Sequence, residues 1–271
     1  MISAGPFERY LSILGVEAAP PGLVHLGRLV GAQLMRVPFE NISKLYLRKT
    51  QGAAFAPSLE EHLDGIEHHH FGGTCYANNP HFFTLLQHLG YEVTMSGADM
   101  SNPDAHIVSM VELEGRQYLV DVGYAAPFFQ PLPRDLDGPH EICFGASRYV
   151  LEPQDDQGRS RLRLFREEEP IHGYLAKPEP REIGHFAEGI RDSYRDAATF
   201  MNVVVVERFF PGRSIRIHNL TLTESTPDGA TVTQLADREE LVRAVEHFCR
   251  IPSNIVREAI DGIGLEGDIY T

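Results

Sequence analysis

The sequence predicts an α+β fold in which helices come first, an antiparallel sheet follows, and a mixed segment closes the chain. Three observations indicate this order. Leucines recur at helical spacing before Gly90, short runs of β-branched and aromatic residues occupy 91–167, and residues 203–251 combine such runs with one amphipathic helix. A doubly wound parallel sheet would alternate strands and helices along the whole chain, so this order argues against it.

The first part of the chain predicts helices. Two are expected within residues 7–46, where leucines and valines follow helical spacing on either side of the breaker AAPPG at 18–22. A further helix is expected from about Pro80 to Leu89, because HFFTLLQHL is largely apolar and Gly90 is a common position for a C-terminal cap. Cys75 would then lie just before this helix.

The predicted strands begin after Gly90. They are YEVTMSG, AHIVSMVEL, RQYLVDVGY, ASRYVLEP and RSRLRLFRE, and Glu114-Gly115 indicates an antiparallel hairpin between the second and the third. Residues 203–224 contain further strands separated by Pro211-Gly212, and residues 238–251 form an amphipathic helix.

The composition argues against several function classes. The chain has 271 residues, 42% of them hydrophobic, and its 24 Lys and Arg against 38 Asp and Glu give a formal net charge of −14. Such a field repels phosphate backbones and anionic head groups, so we expect no nucleic-acid or membrane partner. Three widely spaced cysteines, with no signal-like or long apolar run, predict a cytoplasmic protein and leave its oligomeric state open.

The segment HHHFGGTCYANNP, residues 68–80, carries the most chemical information. Two glycines shortly before Cys75 allow close backbone approach, and the start of a helix favours a thiolate through its partial positive charge. Cys75 is therefore a candidate nucleophile. The alternative is a small buried hydrophobic residue, the usual role of an arbitrary cysteine.

A thiolate nucleophile needs a general base, and the base needs an acceptor that orients it. His106 opens the strand AHIVSMVEL and Asp121 ends the strand RQYLVDVG, so a short hairpin would place their side chains next to each other. Each residue alone has an ordinary explanation. His106 could be a polar residue whose hydrogen bonds are all made, and Asp121 could simply stabilise a turn. Together with Cys75 they indicate a catalytic triad more specifically than any one of them does.

Several blocks resemble the arylamine N-acetyltransferases, a family that also includes macrolactam-forming amide synthases. They are VPFENIS at 37–43, GGTCYANN at 72–79, AHIVSMVELEGRQYLVDVGYAAPFFQPL at 105–132, and TFMNVVVVERF at 199–209 followed by SIRIHNLTLTE. The resemblance implies a helical domain over 1–90 that carries the nucleophile, a central antiparallel β-barrel over 91–193 that carries the histidine and the aspartate, and an α/β lid over 194–271. It also implies a cysteine-protease-like Cys-His-Asp core.

The resemblance further implies how the triad would work. Cys75 would take an acetyl group from acetyl-CoA, a cosubstrate, and pass it to the nitrogen of an arylamine or arylhydrazine in a ping-pong reaction. His106 would pair with the thiolate, and Asp121 would fix the imidazole. No permanently bound cofactor is implied. The residues implied to line the aromatic amine pocket are Phe39, Tyr124 and Phe200, although each could equally be a core aromatic.

One departure from the family pattern concerns the support of the nucleophile. Phe71 replaces the arginine that usually precedes Gly-Gly-x-Cys. The expected ion pair with the acid at Glu40 is therefore lost unless Arg36 or Lys44 substitutes.

Three further departures keep other functions open. Ala77 replaces an acidic or amide residue, Ala125 replaces a frequent glycine, and the interval between Cys75 and His106 is shorter than usual. The alternatives are an amide synthase that uses a larger CoA- or carrier-bound acyl donor, a non-catalytic ligand-binding relative, and a thiol hydrolase.

A zinc site is a weaker hypothesis. His68, His69 and His70 could join Cys75 as ligands, but adjacent histidines on an extended segment point in different directions and a metal-bound thiolate is a poorer nucleophile. We therefore expect a solvated polar loop at the cleft edge and no metal.

Other charged and sulfur-containing residues have ordinary explanations. Cys143 and Cys249 are predicted to pack on apolar faces of a strand and a helix. A cluster of arginines is a candidate for binding CoA phosphates, and it consists of Arg159, Arg161, Arg163 and Arg166. Their alternation better fits the solvent-facing side of a strand.

Overall fold

The computed structural model describes residues 5–265 and confirms the α+β fold. The helices are α1 (Pro6–Leu14), α2 (Leu23–Arg36), α3 (Ile42–Gln51), α4 (Leu59–His69), α5 (Cys75–His88), α6 (Ala187–Asp192), α7 (Arg238–Cys249) and α8 (Ser253–Ile260). Short 3-10 turns cover Ile183–Phe186 and Thr199–Met201.

The strands belong to two antiparallel sheets. The larger contains β2 (Glu92–Asp99), β3 (His106–Leu113), β4 (Arg116–Val120), β5 (Leu132–Pro133), β6 (His140–Phe144), β7 (Ser147–Leu151), β8 (Ser160–Arg166) and β9 (Glu169–Pro180). The smaller contains β1 (Phe39–Glu40), β10 (Val205–Phe210), β11 (Arg213–His218), β12 (Thr221–Thr226) and β13 (Gly229–Gln234).

The helical region differs from the prediction of two helices within 7–46. Helices α1, α2 and α3 fall in or overlap this range, and the extended strand β1 separates the last two. Pro38 lacks an amide proton and ends the helical pattern. Asn41 then fixes the extended path, because its side-chain oxygen accepts a hydrogen bond from the Val205 amide at 2.8 Å and its amide nitrogen donates to the Val203 carbonyl at 2.7 Å.

Helix α5 begins at Cys75 rather than at about Pro80, and Pro80 lies inside it. A proline within a helix removes one backbone hydrogen bond, which is why the sequence pattern indicated a later start. The helix continues through this position because its apolar side chains, including Phe82, Leu85 and Leu86, are buried in the main core. Cys75 therefore occupies the first helical position instead of a preceding loop.

The larger sheet is antiparallel as predicted, but it is a curled half-barrel rather than the full β-barrel that the resemblance implied. Its strand order is β5-β4-β3-β2-β9-β8-β7-β6, and within residues 5–265 the edge strands β5 and β6 do not pair with each other. Strand β5 has only two residues, and its Pro133 has no amide proton to donate, so this edge cannot extend the ladder. The β3–β4 hairpin is confirmed, with Ser109 opposite Val120. Its turn residues Glu114 and Gly115 both have positive φ, which suits a tight hairpin.

The smaller sheet joins distant parts of the chain. Strand β1 pairs with β10, so Phe39 lies opposite Glu207. The predicted turn at Pro211-Gly212 connects β10 and β11, and the predicted helix at 238–251 is confirmed as α7. The boundaries of the three predicted domains stay a prediction, but this pairing ties the first of them directly to the last.

Two large cores lie around the functional region, and a third, smaller one contains Ile107 and Phe186. The first contains apolar side chains of α1, α2, α5 and the larger sheet, and the second contains those of α3, α7, α8 and the smaller sheet. Full burial of each leucine or valine contributes roughly 1.5–3 kcal/mol relative to exposure. The residues between the cores are thus held from both sides. No helix within residues 5–265 is long and apolar enough to cross a membrane.

The prediction that Cys143 packs in a core is wrong. Cys143 is exposed because side chains alternate along β6 and Cys143 lies on the same solvent-facing side as Glu141. Cys249 is buried in the second core, as predicted.

Candidate active site

A cleft of about 720 Å³ lies where the first turn of α5, the start of β3 and the segment after β4 meet residues 185–200. Five of the six predicted site residues line it: Phe39, Cys75, His106, Tyr124 and Phe200. The sixth, Asp121, is buried behind His106. The cleft is large enough for a small organic ligand.

Cys75 is placed by a close backbone approach between Gly72 and β1. A Cβ at Gly72 would lie 1.7 Å from the Pro38 carbonyl oxygen, so only glycine allows this approach. The Glu40 amide donates to the Gly73 carbonyl at 3.1 Å and fastens the loop to the strand. The Cys75 side chain is nearly buried and lies at the positively polarised end of α5.

His106 and Asp121 form a buried pair beside the thiol. His106 Nε2 donates to Asp121 Oδ2 at 2.8 Å, and neither side chain is more than 1% exposed. Burial by itself would lower the pKa of His106, but the Asp121 carboxylate, and to a lesser extent Cys75, raise it to about 10. Burial would raise the pKa of Asp121, but His106, Asn79 and the Gly123 amide together lower it. The pair is therefore an imidazolium and a carboxylate at neutral pH.

The second ring nitrogen of His106 is the one available to the thiol. Nδ1 is buried and forms no hydrogen bond with residues 5–265, whereas Nε2 is engaged by Asp121. The Cys75 thiol contributes to the raised pKa of the ring, which places it within electrostatic range. Proton exchange between His106 and Cys75 would accordingly use Nδ1.

Asn79 is a site residue that the sequence prediction missed. Its Nδ2 donates to Asp121 Oδ1 at 2.9 Å and to the Ile107 carbonyl at 2.6 Å, and its Oδ1 accepts from the Val122 amide at 2.9 Å. It lies one helical turn after Cys75 and therefore on the same face of α5, a spacing that could have indicated its role. Asn79 thus connects the helix that carries the thiol to both strands that carry the pair.

We expect Asn79→Ala to lower the free energy of unfolding by about 2–4 kcal/mol, because it removes three buried hydrogen bonds and leaves their partners unsatisfied. Chemical denaturation of the purified variants measures this difference. Asn202→Ala, the same change at an exposed residue, is the control and is expected to cost less than about 1 kcal/mol. Equal losses at both positions would contradict the positioning role of Asn79.

A family model described as N-acetyltransferase matches residues 22–254. The chain belongs to the arylamine N-acetyltransferase family. The arylamine N-acetyltransferase of Mycolicibacterium smegmatis is 27% identical over 234 residues, which cover 79% of this chain and 83% of that protein. The pineal gland isozyme of Gallus gallus is 32% identical over 108 residues, which cover 37% of this chain and 36% of that protein. The chain thus matches about a third of the length of this vertebrate relative.

Among solved structures, the arylamine N-acetyltransferase of Mycobacterium marinum in complex with CoA has a TM-score of 0.79 to this chain. The two are 22% identical, and the match covers 95% of this chain and 99% of the other. At this identity the likeness shows a shared fold. It extends over both sheets and the helices that flank the cleft.

Glu40 has a different partner from the one that the arylamine N-acetyltransferase pattern implied. Its carboxylate accepts from the Gly72 amide at 2.9 Å and from the Ser43 amide at 2.8 Å. Burial raises its pKa, although these hydrogen bonds oppose the shift. Within residues 5–265 neither Arg36 nor Lys44 pairs with it, since Arg36 donates to the Ile13 carbonyl and Lys44 to Ser193. Backbone amides therefore take the place of the missing arginine.

The three replaced side chains, Phe71, Ala77 and Ala125, are all buried. Phe71 is buried with its ring 6.0 Å from that of Tyr46, and Ala77 is buried close to Gly73. Ala125 has φ 60, the left-handed region that favours glycine, at a cost of roughly 1–2 kcal/mol. Its carbonyl accepts a hydrogen bond from Arg216 at 3.2 Å, which holds this segment.

The three predicted aromatic residues lie on two sides of the cleft. Phe39 and Phe200 contact each other edge to face, with ring centroids 6.0 Å apart. Tyr124 lies against the His106 ring at 5.8 Å, and its hydroxyl hydrogen-bonds to His172 Nδ1 at 2.7 Å. All three line the cleft together with Cys75.

The histidine run and the arginine cluster lie elsewhere. His68 and His69 form the last turn of α4 and His70 follows it, so the predicted extended loop is wrong. None of the three lines the cleft, and within residues 5–265 no group of three or more His, Cys, Asp or Glu could hold a metal ion. Of the predicted cluster, Arg161 and Arg163 alternate with buried residues of β8 on a solvent-facing side, and Arg163 pairs with Glu152, whereas Arg159 precedes the strand and Arg166 is half-buried at its end.

Proposed function

We propose that this protein is an acyltransferase that moves an acetyl group from acetyl-CoA to the nitrogen of an arylamine or arylhydrazine through an acetyl-cysteine at Cys75. The observation that carries the proposal is the buried His106–Asp121 pair next to a cysteine at a helix N-terminus, all at one cleft. Membership of the arylamine N-acetyltransferase family supports it. The fold shared with a relative that was solved with CoA supports the choice of donor.

In the first half-reaction, the Cys75 thiolate attacks the thioester carbonyl of acetyl-CoA. A new bond forms between Sγ and the acetyl carbon, and the bond between that carbon and the CoA sulfur breaks. The CoA thiolate leaves and takes the proton of the His106 imidazolium. The result is an acetyl-cysteine, a neutral imidazole and free CoA. Because the pKa of His106 is raised, the ring holds a proton for this step at neutral pH.

In the second half-reaction, the amine nitrogen attacks the acetyl carbon and the bond to Sγ breaks. His106 accepts the proton that the amine loses, so the thiolate and the imidazolium are restored together. Asp121 stabilises the charged ring and fixes its orientation throughout, in the manner of the acid of a catalytic triad. No permanently bound cofactor takes part in either half.

Three aromatic side chains would bind the amine. A planar ring fits between aromatic faces through stacked and edge-to-face contacts, which contribute about 0.5–1.5 kcal/mol each. In this proposal the arylamine pocket is formed by Phe39, Tyr124 and Phe200, all of which line the cleft with Cys75.

The test is the intact mass of the protein after brief mixing with acetyl-CoA in the absence of amine, followed by addition of an arylamine such as 4-methoxyaniline. We expect one acetyl adduct, which disappears as the acetylated amine forms. This pair of results demonstrates the two half-reactions separately. A folded protein that gains no adduct would contradict acetyl-CoA as the donor.

A further inference from the structure

Lys44 lies at the same cleft as Cys75, and the proposed reaction gives it no role. Its side chain is buried, with the residue only 5% exposed. It is the third residue of α3, in the first helical turn, where the partial positive charge of the helix end disfavours a cation. A buried ammonium in this place requires some compensating interaction.

The contacts of the ammonium group are with neutral partners. Lys44 Nζ donates to Ser193 Oγ at 2.7 Å, and the hydroxyl of Ser193 itself donates to the Ile190 carbonyl at 2.6 Å. Nζ also lies 4.2 Å from the centre of the Tyr194 ring. No carboxylate of residues 5–265 forms an ion pair with it, so two of its three protons have no hydrogen-bond acceptor there.

Burial lowers the pKa of Lys44 to about 8, and the charge of Cys75 opposes this shift. The ammonium form is therefore favoured at neutral pH although residues 5–265 supply no carboxylate for it. An anionic group of a bound reactant would satisfy the remaining protons. Asp104 and Asp192 at the same cleft are engaged in ion pairs with Lys177 and Arg195, so the acidic residue there that would repel a doubly charged phosphate more than a single carboxylate is Glu188.

We propose that Lys44 binds a carboxylate carried by one of the two reactants, either on the acyl group or on the arylamine. This inference rests on the proposed function, which it narrows to reactants with a negative charge. The net charge of −14 means that the protein as a whole does not attract anions from a distance. A buried cation beside the nucleophile would instead select negatively charged reactants by direct contact in the cleft.

The acceptor arm measures binding by titration calorimetry with 4-aminobenzoate and its neutral analogue 4-aminobenzamide. We expect the native chain to prefer the carboxylate and Lys44→Met to weaken its binding about 10- to 100-fold, with little effect on the amide. Lys44→Arg, which retains the charge, should still bind the carboxylate more tightly than the amide. Lys49→Met removes the same charge from an exposed position of α3 and is expected to leave both affinities unchanged.

The donor arm measures how fast succinyl-CoA and butyryl-CoA form a covalent adduct on the native chain and on the same variants. If the acyl group carries the carboxylate, Lys44→Met should slow formation of the succinyl adduct by a factor similar to the expected loss of 4-aminobenzoate binding. Formation of the butyryl adduct should not slow. A selective effect in either arm supports the proposal and identifies which reactant carries the carboxylate.

Two results would overturn the inference. One is the absence of any Lys44-dependent preference for a carboxylate in both arms. The other is an equal loss for charged and neutral reactants in Lys44→Met, which would show that Lys44 acts on the Cys75 thiolate instead. The calorimetric arm needs no catalysis, so a chain that binds 4-aminobenzoate through Lys44 but forms no acetyl adduct would contradict the proposed function and still support the carboxylate site.

Discussion

Replacement of Cys75 by serine is expected to abolish the acetyl adduct and to lower amine acetylation by at least about 10³-fold. Serine preserves the size of the side chain, but its hydroxyl holds the proton far more tightly than a thiol does at neutral pH. The His106–Asp121 pair would then have no ready nucleophile beside it. Intact mass and the rate of product formation from acetyl-CoA and a simple arylamine measure the two effects.

Cys143→Ser makes the same chemical change at an exposed cysteine outside the cleft and is the matched control. It should form the adduct at the native rate. An adduct of undiminished yield on Cys75→Ser would place the acetyl group on another side chain and contradict the proposed mechanism.

Replacement of Asp121 by asparagine is expected to lower acetyl transfer roughly 10⁴-fold, the size of effect known when the acid of a catalytic triad is changed in this way. Without the carboxylate, burial would dominate and the pKa of His106 would fall, so the ring would lose its charge and its fixed orientation. The variant should also lose about 3 kcal/mol of stability, because one partner of a buried pair is removed. Steady-state kinetics and chemical denaturation measure these losses.

The stability loss should depend on pH in a defined direction. The raised pKa of His106 contributes stability that is fully present below about 6.5, its ordinary unfolded value, and is lost as pH rises through about 10. The lowered pKa of Asp121 contributes stability that is present above about 3.9 and is lost as pH falls through its lower folded value. The difference between native chain and Asp121→Asn should therefore be greatest between about pH 4 and 6.5 and should decrease towards pH 10.

Asp135→Asn is the control for this experiment, because Asp135 forms an exposed ion pair with Arg116. It is expected to change the free energy of unfolding by less than about 1 kcal/mol. A stability difference for Asp121→Asn that stayed constant from pH 5 to 10 would show that the charge on His106 does not depend on Asp121.

Some of the site could be predicted from local pattern because the residues concerned are close to one another along the chain or within a simple hairpin. The glycines before Cys75 and the apolar run after it indicate a helix start, and the β3–β4 hairpin brings His106 near Asp121. Asn79 was not predicted as a site residue, because an asparagine on a helix has many possible roles. Only the approach of α5 to β3 and to the segment after β4 gives it three partners.

The errors have a common physical cause. Pro80 favours the start of a helix by local preference, yet the helix begins at Cys75 because burial of the apolar side chains of α5 outweighs the single lost hydrogen bond. Barrel closure depends on whether two edge strands can meet, and a two-residue strand that ends in proline prevents it. The exposure of Cys143 follows from which side of β6 faces the solvent, and this depends on how the strand packs in the sheet.

By itself the sequence determined the fold class, the hairpin, the family resemblance and the identity of a cysteine, a histidine and an aspartate as candidates. Only the tertiary structure decided that Asp121 lies behind His106, that backbone amides replace the missing arginine at Glu40, and that Lys44 lines the cleft with no carboxylate partner in the described part of the chain. The reason is that helix and strand periodicity are local, whereas burial, pKa and the pairing of charges depend on segments far apart in the chain.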